Sequence, residues 1–370
     1  MIDTKAFYDY LNQKGMNFFT GVPDSLLKDL CACIKENSDK SHNIIAANEG
    51  NAVALACGRY LSTNQIGVVY MQNSGLGNTV NPLLSLIDED VYKIPELFIV
   101  GYRGEPGVHD EPQHVKQGKL TLPLLDTLGV KWEILGENYQ EQIDRAYEYM
   151  RATNRPYALV AKKGIFSEYK LKKENNDYPM TREEALKEII NGIDPEDFIV
   201  STTGKTSREI FEYREARNEG HGYDFLTVGS MGHTSSIALG MSLGTDKNVY
   251  CIDGDGSFIM HMGASAIVAQ NQGDNLRYIL INNGAHESVG GQPTVALDID
   301  IKKILEAVGF PKVYESKTRE ELIENMRKLR ASLKSAMIVY THQGSRKDLG
   351  RPTTTPEQNK EAIMMNLLKK

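Results

Sequence analysis

Residues 248–285 read NVYCIDGDGSFIMHMGASAIVAQNQGDNLRYILINNGA, and this stretch decides the fold. One apolar, strand-like run ends directly before DGDGS at 253–257, and a second ends directly before NNGA at 282–285. Residues 261–272 between them suit a helix, so the stretch predicts a strand–helix–strand unit of a parallel sheet. Because ligands gather at the carboxyl ends of parallel strands, we expect Asp255 and Asn283 to lie close together.

The side chains at these two strand ends have the chemistry of a magnesium site. A carboxylate, an amide oxygen and a nearby backbone carbonyl are hard oxygen ligands, and they would leave positions on an octahedral Mg²⁺ open for phosphate oxygens. Gly254 and Gly256 would let the backbone approach a diphosphate closely. The alternative interpretation is an Asp-Gly turn and an Asn-rich turn without a ligand.

The rest of the chain alternates strand-like and helix-like segments. This alternation predicts an α/β protein with two doubly wound parallel-sheet domains. The predicted domains are residues 1–170 and 181–370, and a polar linker, 171–180, joins them; a T-x-x-E capping box at Thr181 and Glu184 opens the second domain. The predicted buried strands are Ile44–Ala46, Ile66–Met71, Glu96–Val100, Ala158–Val160, Asp197–Val200, Val249–Ile252, Arg277–Ile281 and Met337–Tyr340.

The two predicted domains share a sequence pattern. Glu49 and Asn73 are 24 residues apart, as are Met231 and Asp255, and the offset between the pairs is 182 residues. Equal spacing at several points favours a duplicated fold over two unrelated units.

Composition excludes several classes of protein. The 370 residues carry 42 basic and 49 acidic side chains, a net charge of −7, whereas a nucleic-acid binder usually has a basic excess. No apolar run reaches the roughly 18 residues of a membrane span. Four cysteines make no disulfide framework in a chain of this length, and the acidic N-terminus is no signal peptide. A cytoplasmic location is therefore expected, without nucleic-acid or membrane partners.

GDG followed about 25 residues later by paired asparagines resembles the fingerprint of thiamin-diphosphate-dependent enzymes. The resemblance implies thiamin diphosphate and Mg²⁺ as cofactors, with the metal held by the side chains of Asp255 and Asn283 and by the carbonyl of Ala285. It also implies that a buried glutamate protonates the aminopyrimidine of the cofactor, and Glu49 in AANEGNAVALA fits that context. Taken alone, Glu49 would be better explained as a first-turn glutamate favoured by the helix dipole.

Further residues match the cofactor contacts of that family. In GSMG at 229–232, Met231 would be the apolar wedge beneath the cofactor, and the Gly229 carbonyl would accept from the pyrimidine amine. A rival interpretation, a P-loop ending in Gly204–Lys205–Thr206, is incomplete because Ile199 stands where its first glycine should be. The remaining contacts implied by the resemblance are Asn73, Thr203, Gly204, Gly254, Gly256 and Ser257.

The two-domain order resembles the phosphonopyruvate decarboxylase family and the related sulfopyruvate decarboxylases. Four motifs carry this resemblance: GVPDS at 21–25 after a strand, NSGLGN at 73–78, RGEPGVHDEPQH at 103–114 and GSRKDLGRP at 344–352. It implies decarboxylation of 3-phosphonopyruvate to phosphonoacetaldehyde, with Asp24 or His114 supplying protons beside Glu49. The substrate residues it implies are Ser25, Arg103, Gln113, His114, Arg346 and Arg351, and His286 and Glu287 are also expected to line the pocket.

The family resemblance also implies a homodimer or larger homo-oligomer, because neighbouring subunits of that family supply the two ends of the cofactor site. Three alternatives stay open at this point: a sulfopyruvate decarboxylase, a carboligase similar to acetolactate synthase, and a cofactor-binding regulatory subunit without turnover. The joint presence of Glu49, Met231, Asp255 and Asn283 argues against the last, because a non-catalytic relative need not keep the glutamate.

Overall fold

A computed structural model describes residues 1–172 and 176–368. Residues 173–175 of the predicted linker and the last two residues of the predicted second domain lie outside the described residues. The described chain forms two compact units, residues 1–172 with 289–292, and residues 176–288 with 293–368.

The first unit alternates strands and helices. Its strands are β1 Phe19–Gly21, β2 Asn43–Ile45, β3 Gly67–Gln72, β4 Glu96–Gly101, β5 Lys131–Ile134 and β6 Tyr157–Ala161. Its helices are α1 Thr4–Gln13, α2 Lys28–Asn37, α3 Glu49–Thr63, α4 Leu76–Pro82, α5 Pro112–Thr127 and α6 Tyr139–Thr153.

The second part of the chain repeats this alternation. Its strands are β7 Phe198–Ser201, β8 Asp224–Leu226, β9 Val249–Gly254, β10 Leu276–Asn282, β11 Ala285–His286, β12 Gln292–Pro293, β13 Lys312–Ser316 and β14 Ser335–Tyr340. Its helices are α7 Arg182–Asn191, α8 Lys205–Ala216, α9 Thr234–Ser242, α10 Asp255–Met260, α11 Ala264–Asn271, α12 Ile301–Val308, α13 Arg319–Ala331 and α14 Pro356–Leu367. None of the helices among the described residues has both the length and the apolar character needed to span a bilayer.

Each unit is built on a six-stranded sheet whose neighbouring strands are all parallel. The order is β2-β1-β3-β4-β6-β5 in the first sheet and β8-β7-β9-β10-β14-β13 in the second. When only the six strands of each sheet are numbered in chain order, both sheets have the order 2-1-3-4-6-5. The predicted fold class is confirmed, and the identical order supports a duplicated fold.

Both faces of each sheet are covered by helices, as a doubly wound architecture requires. In β4, Leu97 and Ile99 join the core beneath α1, α2 and α6, whereas Phe98 and Val100 join the core beneath α3, α4 and α5. In the second sheet, alternate residues of β7 and β9 likewise divide between two cores. This two-sided burial explains why the central strands are nearly continuous apolar runs in the sequence.

Six strands of the structure were missing from the predicted set of buried strands: β1, β5, β8, β11, β12 and β13. The strands β5, β8 and β13 lie at sheet edges, where partly exposed or polar residues interrupt the apolar run. The other three have only two or three residues each, and β1 is the strand expected before GVPDS. The predicted helix over 261–272 was too long, since α11 begins only at Ala264. DGDGS is not wholly a loop either, because α10 begins at Asp255, whose carboxylate suits the positive end of a helix.

Candidate active site

The predicted meeting of Asp255 and Asn283 follows from the register of two neighbouring strands. In the β9–β10 pair, Asp253 lies opposite Leu280 and Gly254 lies opposite Ile281. Asp255 therefore follows one strand at the edge where Asn283 follows the next.

The surroundings of the Asp255 carboxylate suit a bound cation. Its side chain is buried, and burial raises its pKa to about 6. Thr294 donates a hydrogen bond of 2.6 Å to Oδ2, yet no basic side chain among the described residues pairs with Asp255. No group of three or more His, Cys, Asp or Glu side chains in the described ranges could hold a metal. An ion here would depend on oxygens of Asp255, Asn283 and Ala285, a donor set that suits Mg²⁺.

The amide of Asn283 is held from both of its ends. Its Nδ2 donates to Oε2 of Glu287 at 2.9 Å, and its Oδ1 accepts from the backbone N–H of Ala285 at 3.0 Å. The same Glu287 oxygen accepts from Nη1 of Arg182 at 2.6 Å. Arg182 in turn donates through Nε and Nη2 to the two carboxylate oxygens of Glu209, at 2.7 Å each.

Sequence reasoning missed Arg182 and Glu209. These residues lie 27 positions apart, and Arg182 is 105 positions from Glu287. No sequence motif connects the three residues. Arg182 on α7 meets Glu209 on α8 and Glu287 after β11 only because these segments pack together in the fold.

The loop that carries Met231 lies beside the start of α10. The Gly232 N–H donates to Ser257 Oγ at 3.0 Å. A Cβ on Gly256 would lie 2.7 Å from Nδ1 of His286 and 3.3 Å from Cε of Met231. His286 and Met231 therefore pack closely against Gly256, and a side chain at position 256 would overlap the His286 imidazole.

The predicted diphosphate loop follows β7. Gly204, at φ +95°, immediately precedes α8, and a Cβ there would lie 2.6 Å from Oγ of Ser288. Lys205 Nζ is 3.6 Å from Oε1 of Glu287, and burial lowers the pKa of this lysine. The predicted contacts Thr203 and Gly229 lie in half-buried turns. Cofactor binding by these residues stays a prediction.

In the first unit, Glu49 is the first residue of α3 and is only 5% exposed. Asn78 Nδ2 donates to Glu49 Oε2 at 2.7 Å. Any Cβ at Gly75 would overlap the Glu49 carboxylate, so the NSGLGN segment leaves room for it through a glycine. The motif NSGLGN was identified in the sequence, but the hydrogen bond from its Asn78 to Glu49 was not predicted.

Asn73 holds the backbone of Arg103. Its Nδ2 donates to the Arg103 carbonyl at 2.7 Å and to Thr121 Oγ1 at 2.8 Å, and its Oδ1 accepts from the Arg103 N–H at 3.2 Å. These bonds show that the Asn73 amide fixes the backbone at Arg103 within the first unit. The cofactor contact expected of Asn73 stays a prediction.

Arg103 organises the predicted substrate residues of this unit. Its Nη1 donates to Ser25 Oγ at 2.6 Å, and its Nε and Nη2 donate to the two oxygens of Asp110, the Nε bond being 2.7 Å. Asp110 was not predicted as a site residue, although it lies in the quoted motif. Because Asp110 offsets the charge of Arg103, the pair presents hydrogen-bond donors without a full net positive charge.

Asp24 and His114 lie near this pair and are both buried. Burial raises the pKa of Asp24 to about 6 although Arg103 opposes the shift, and burial lowers the pKa of His114 to about 4. Asp24 Oδ1, His114 Nδ1 and Gln113 Oε1 are buried and have no hydrogen-bond partner among the described residues. Unpartnered buried polar atoms are rare, and those of Asp24 and His114 lie near Arg103, where a ligand could contact them.

The two predicted C-terminal arginines lie in the second unit, whereas Arg103 lies in the first. Arg346 forms ion pairs with Glu183 at 3.0 Å, with Asp348 at 3.2 Å and with Glu212. Arg351 is exposed. Substrate binding by these two residues stays a prediction.

Comparison with known proteins gives consistent matches along the chain. Residues 4–125 match the family described as thiamine pyrophosphate enzyme, N-terminal TPP binding domain, and residues 202–340 match its C-terminal TPP binding domain.

Three relatives match nearly end to end. A phosphonopyruvate decarboxylase of Streptomyces hygroscopicus is 31% identical over 97% of this chain and 92% of its own length. A phosphonopyruvate decarboxylase of Streptomyces viridochromogenes is 30% identical over 93% and 89%, and a sulfopyruvate decarboxylase of Methanosarcina acetivorans is 28% identical over 89% and 88%. The chain therefore belongs to the thiamine pyrophosphate enzyme family, as a carboxy-lyase related to the phosphonopyruvate decarboxylases.

Proposed function

We propose that this enzyme decarboxylates 3-phosphonopyruvate to phosphonoacetaldehyde and CO₂, using thiamin diphosphate and Mg²⁺. The observation that carries the substrate assignment is the donor group around Arg103, where the guanidinium lies beside Ser25 and where His114 has a buried Nδ1 with no partner among the described residues. Because Arg, Ser and His side chains can donate hydrogen bonds, the oxygens of a small, multiply charged 2-oxo acid would suit this group. The names of the two Streptomyces relatives support the same substrate.

In this proposal, Asp255, Asn283 and Ala285 would hold Mg²⁺, and the glycine-containing segments 203–204 and 254–256 would bind the diphosphate. Met231 would supply an apolar contact to the cofactor. When bound, thiamin diphosphate supplies an electron sink for the electron pair released as CO₂ departs.

The first unit supplies the proton chemistry of the proposal. Glu49, oriented by Asn78, would exchange a proton with the aminopyrimidine of the bound cofactor. Loss of CO₂ leaves a carbon that must take up one proton before the aldehyde departs, and Asp24 or His114 supplies it. The donors of Arg103 and Ser25 bind the phosphonate oxygens.

The substrate is tested by incubating the purified protein with thiamin diphosphate, Mg²⁺ and each of phosphonopyruvate, sulfopyruvate and pyruvate. Aldehyde formation is then measured. We expect the highest kcat/KM with phosphonopyruvate. Preference for sulfopyruvate, which the Methanosarcina relative makes the second candidate, would overturn the substrate assignment but keep the decarboxylase. If no aldehyde forms from any of the three substrates, a regulatory subunit without turnover would be favoured.

The metal site is tested with Asp255→Ala. Removal of the carboxylate should abolish Mg²⁺-dependent retention of thiamin diphosphate, measured by cofactor content after dialysis. Asp224→Asn is a matched control, because Asp224 is equally buried in an ion pair with Arg214 but belongs to β8. Unchanged cofactor content in Asp255→Ala would contradict the assignment.

We also propose a homodimer or larger homo-oligomer whose neighbouring subunits supply Glu49 and Asp255 to one cofactor. Co-expression of differently tagged Glu49→Gln and Asp255→Ala chains tests this. In a dimer of this kind, each mixed dimer keeps one intact site, so random mixing should restore about a quarter of wild-type activity. No recovery would mean that both residues come from one chain.

A further inference from the structure

We propose that Glu287 is a positioning residue that turns the amide oxygen of Asn283 toward the metal ion, and that Arg182 fixes Glu287 for this task. The inference rests on the proposed function, because it takes Asn283 to be a metal ligand. It adds two residues, one at the start of α7 and one just past the metal loop, to the machinery of the site.

The orientation follows from what each group can donate or accept. An asparagine amide can present either its oxygen or its NH₂ group to a neighbour, whereas an ionised carboxylate only accepts hydrogen bonds. Glu287 Oε2 lies 2.9 Å from Nδ2 of Asn283 and therefore selects the NH₂ end. Oδ1 is then the end left for a cation, and its second lone pair stays available beside the bond from the Ala285 N–H.

Glu287 is itself held by two cationic groups. Oε2 accepts from Arg182 Nη1 at 2.6 Å, and Oε1 lies 3.6 Å from Lys205 Nζ. The guanidinium of Arg182 is locked by its two bonds to Glu209, and the side chains of this buried pair are only 6% and 1% exposed. Two hydrogen bonds, from Nε and Nη2, prevent the planar guanidinium of Arg182 from rotating. The bond from its Nη1 therefore holds the Glu287 carboxylate in a fixed position.

The same pairing explains why Glu287 does not compete for the metal. Arg182 and Lys205 offset the negative charge of Glu287, and one of its oxygens already accepts two hydrogen bonds. Partners that orient a metal ligand in this way usually change metal affinity by about 10- to 100-fold when they are mutated.

The test is Glu287→Gln, which keeps the shape of the side chain but can both donate and accept. We expect the affinity for Mn²⁺, titrated in the presence of saturating thiamin diphosphate and followed by electron paramagnetic resonance of the free ion, to fall by about 10- to 100-fold. Glu188→Gln is the matched control: Glu188 lies on α7 like Arg182 but pairs with Arg319, and we expect a much smaller change.

A double-mutant cycle separates orientation from general damage. If Glu287 acts through Asn283, adding Glu287→Gln to Asn283→Ala should cause no further loss of Mn²⁺ affinity. A loss in Glu287→Gln of less than about twofold, an equal loss in the Glu188→Gln control, or an undiminished loss in the Asn283→Ala background would overturn the inference. Absence of Mn²⁺ binding by the wild-type protein would instead overturn the proposed metal site, so the two failures are distinguishable.

Discussion

Asn78 donates a hydrogen bond of 2.7 Å to one carboxylate oxygen of Glu49, and the other side of that carboxylate lies against the backbone of Gly75. The first residue of α3 is thus fixed by the segment that follows β3. A carboxyl group held in this way has one orientation rather than the several that an exposed glutamate samples.

We expect Glu49→Gln to fold normally and to lose decarboxylation by about two to four orders of magnitude, because the amide cannot exchange a proton with the cofactor. Steady-state release of CO₂ measures the change, and circular dichroism checks the fold. Glu89→Gln is a suitable control, since Glu89 forms only a partly exposed ion pair with Arg155. Near-normal turnover in Glu49→Gln would remove Glu49 from this role.

Gly75→Ala tests the space around Glu49. A methyl group there would overlap the carboxylate, so we expect Glu49 to move and kcat to fall by about tenfold or more. Gly77→Ala is the matched control: it lies two residues away, and its Cβ would meet no atom within 4 Å. Equal kinetics of the two variants would contradict the importance of the Glu49 orientation.

Asp24 should make the stability of the protein depend on pH. Its pKa is about 6 in the folded protein against an ordinary value of 3.8, so the unfolded chain releases the proton first as pH rises. The free energy of unfolding therefore decreases between about pH 4 and 6, and this loss persists at higher pH. The expected decrease in the free energy of unfolding is roughly 3 kcal/mol between about pH 4 and 6. Asp24→Asn should abolish this decrease, as measured by urea unfolding at each pH. A difference between variant and wild type that is constant with pH would contradict the assignment.

Glu96 should have a similar effect over a different range. It is fully buried at the start of β4, both of its carboxylate oxygens have no partner among the described residues, and burial raises its pKa well above the ordinary 4.5. Stability should therefore decrease as pH rises above about 4.5, in addition to the effect of Asp24. Glu96→Gln should be more stable than wild type at pH 8, and by less at pH 5; the opposite order would exclude a buried carboxyl group.

The sequence allowed the central architecture to be predicted because the relevant signals are local. Two apolar runs, each followed by polar residues, identify β9 and β10, and parallel pairing then brings Asp255 and Asn283 to one edge. Edge strands such as Lys131–Ile134 gave no comparable signal, because part of each faces solvent and mixes polar with apolar residues.

The contacts that orient the candidate site could not be predicted in the same way. Arg182 reaches Glu287 across 105 residues, and Asn73 reaches Arg103 across 30. Such pairs depend on where helices and loops pack rather than on spacing along the chain. The sequence indicated which residue types were available, and only the fold determines which of them meet.

Each of the two sheets completes its own strand pairing and has its own hydrophobic cores on both faces. All strands of the first sheet therefore precede the predicted linker, and all strands of the second sheet follow it. Because one chain carries both units, each translation event produces them in equal number. Neither unit can therefore accumulate without the other.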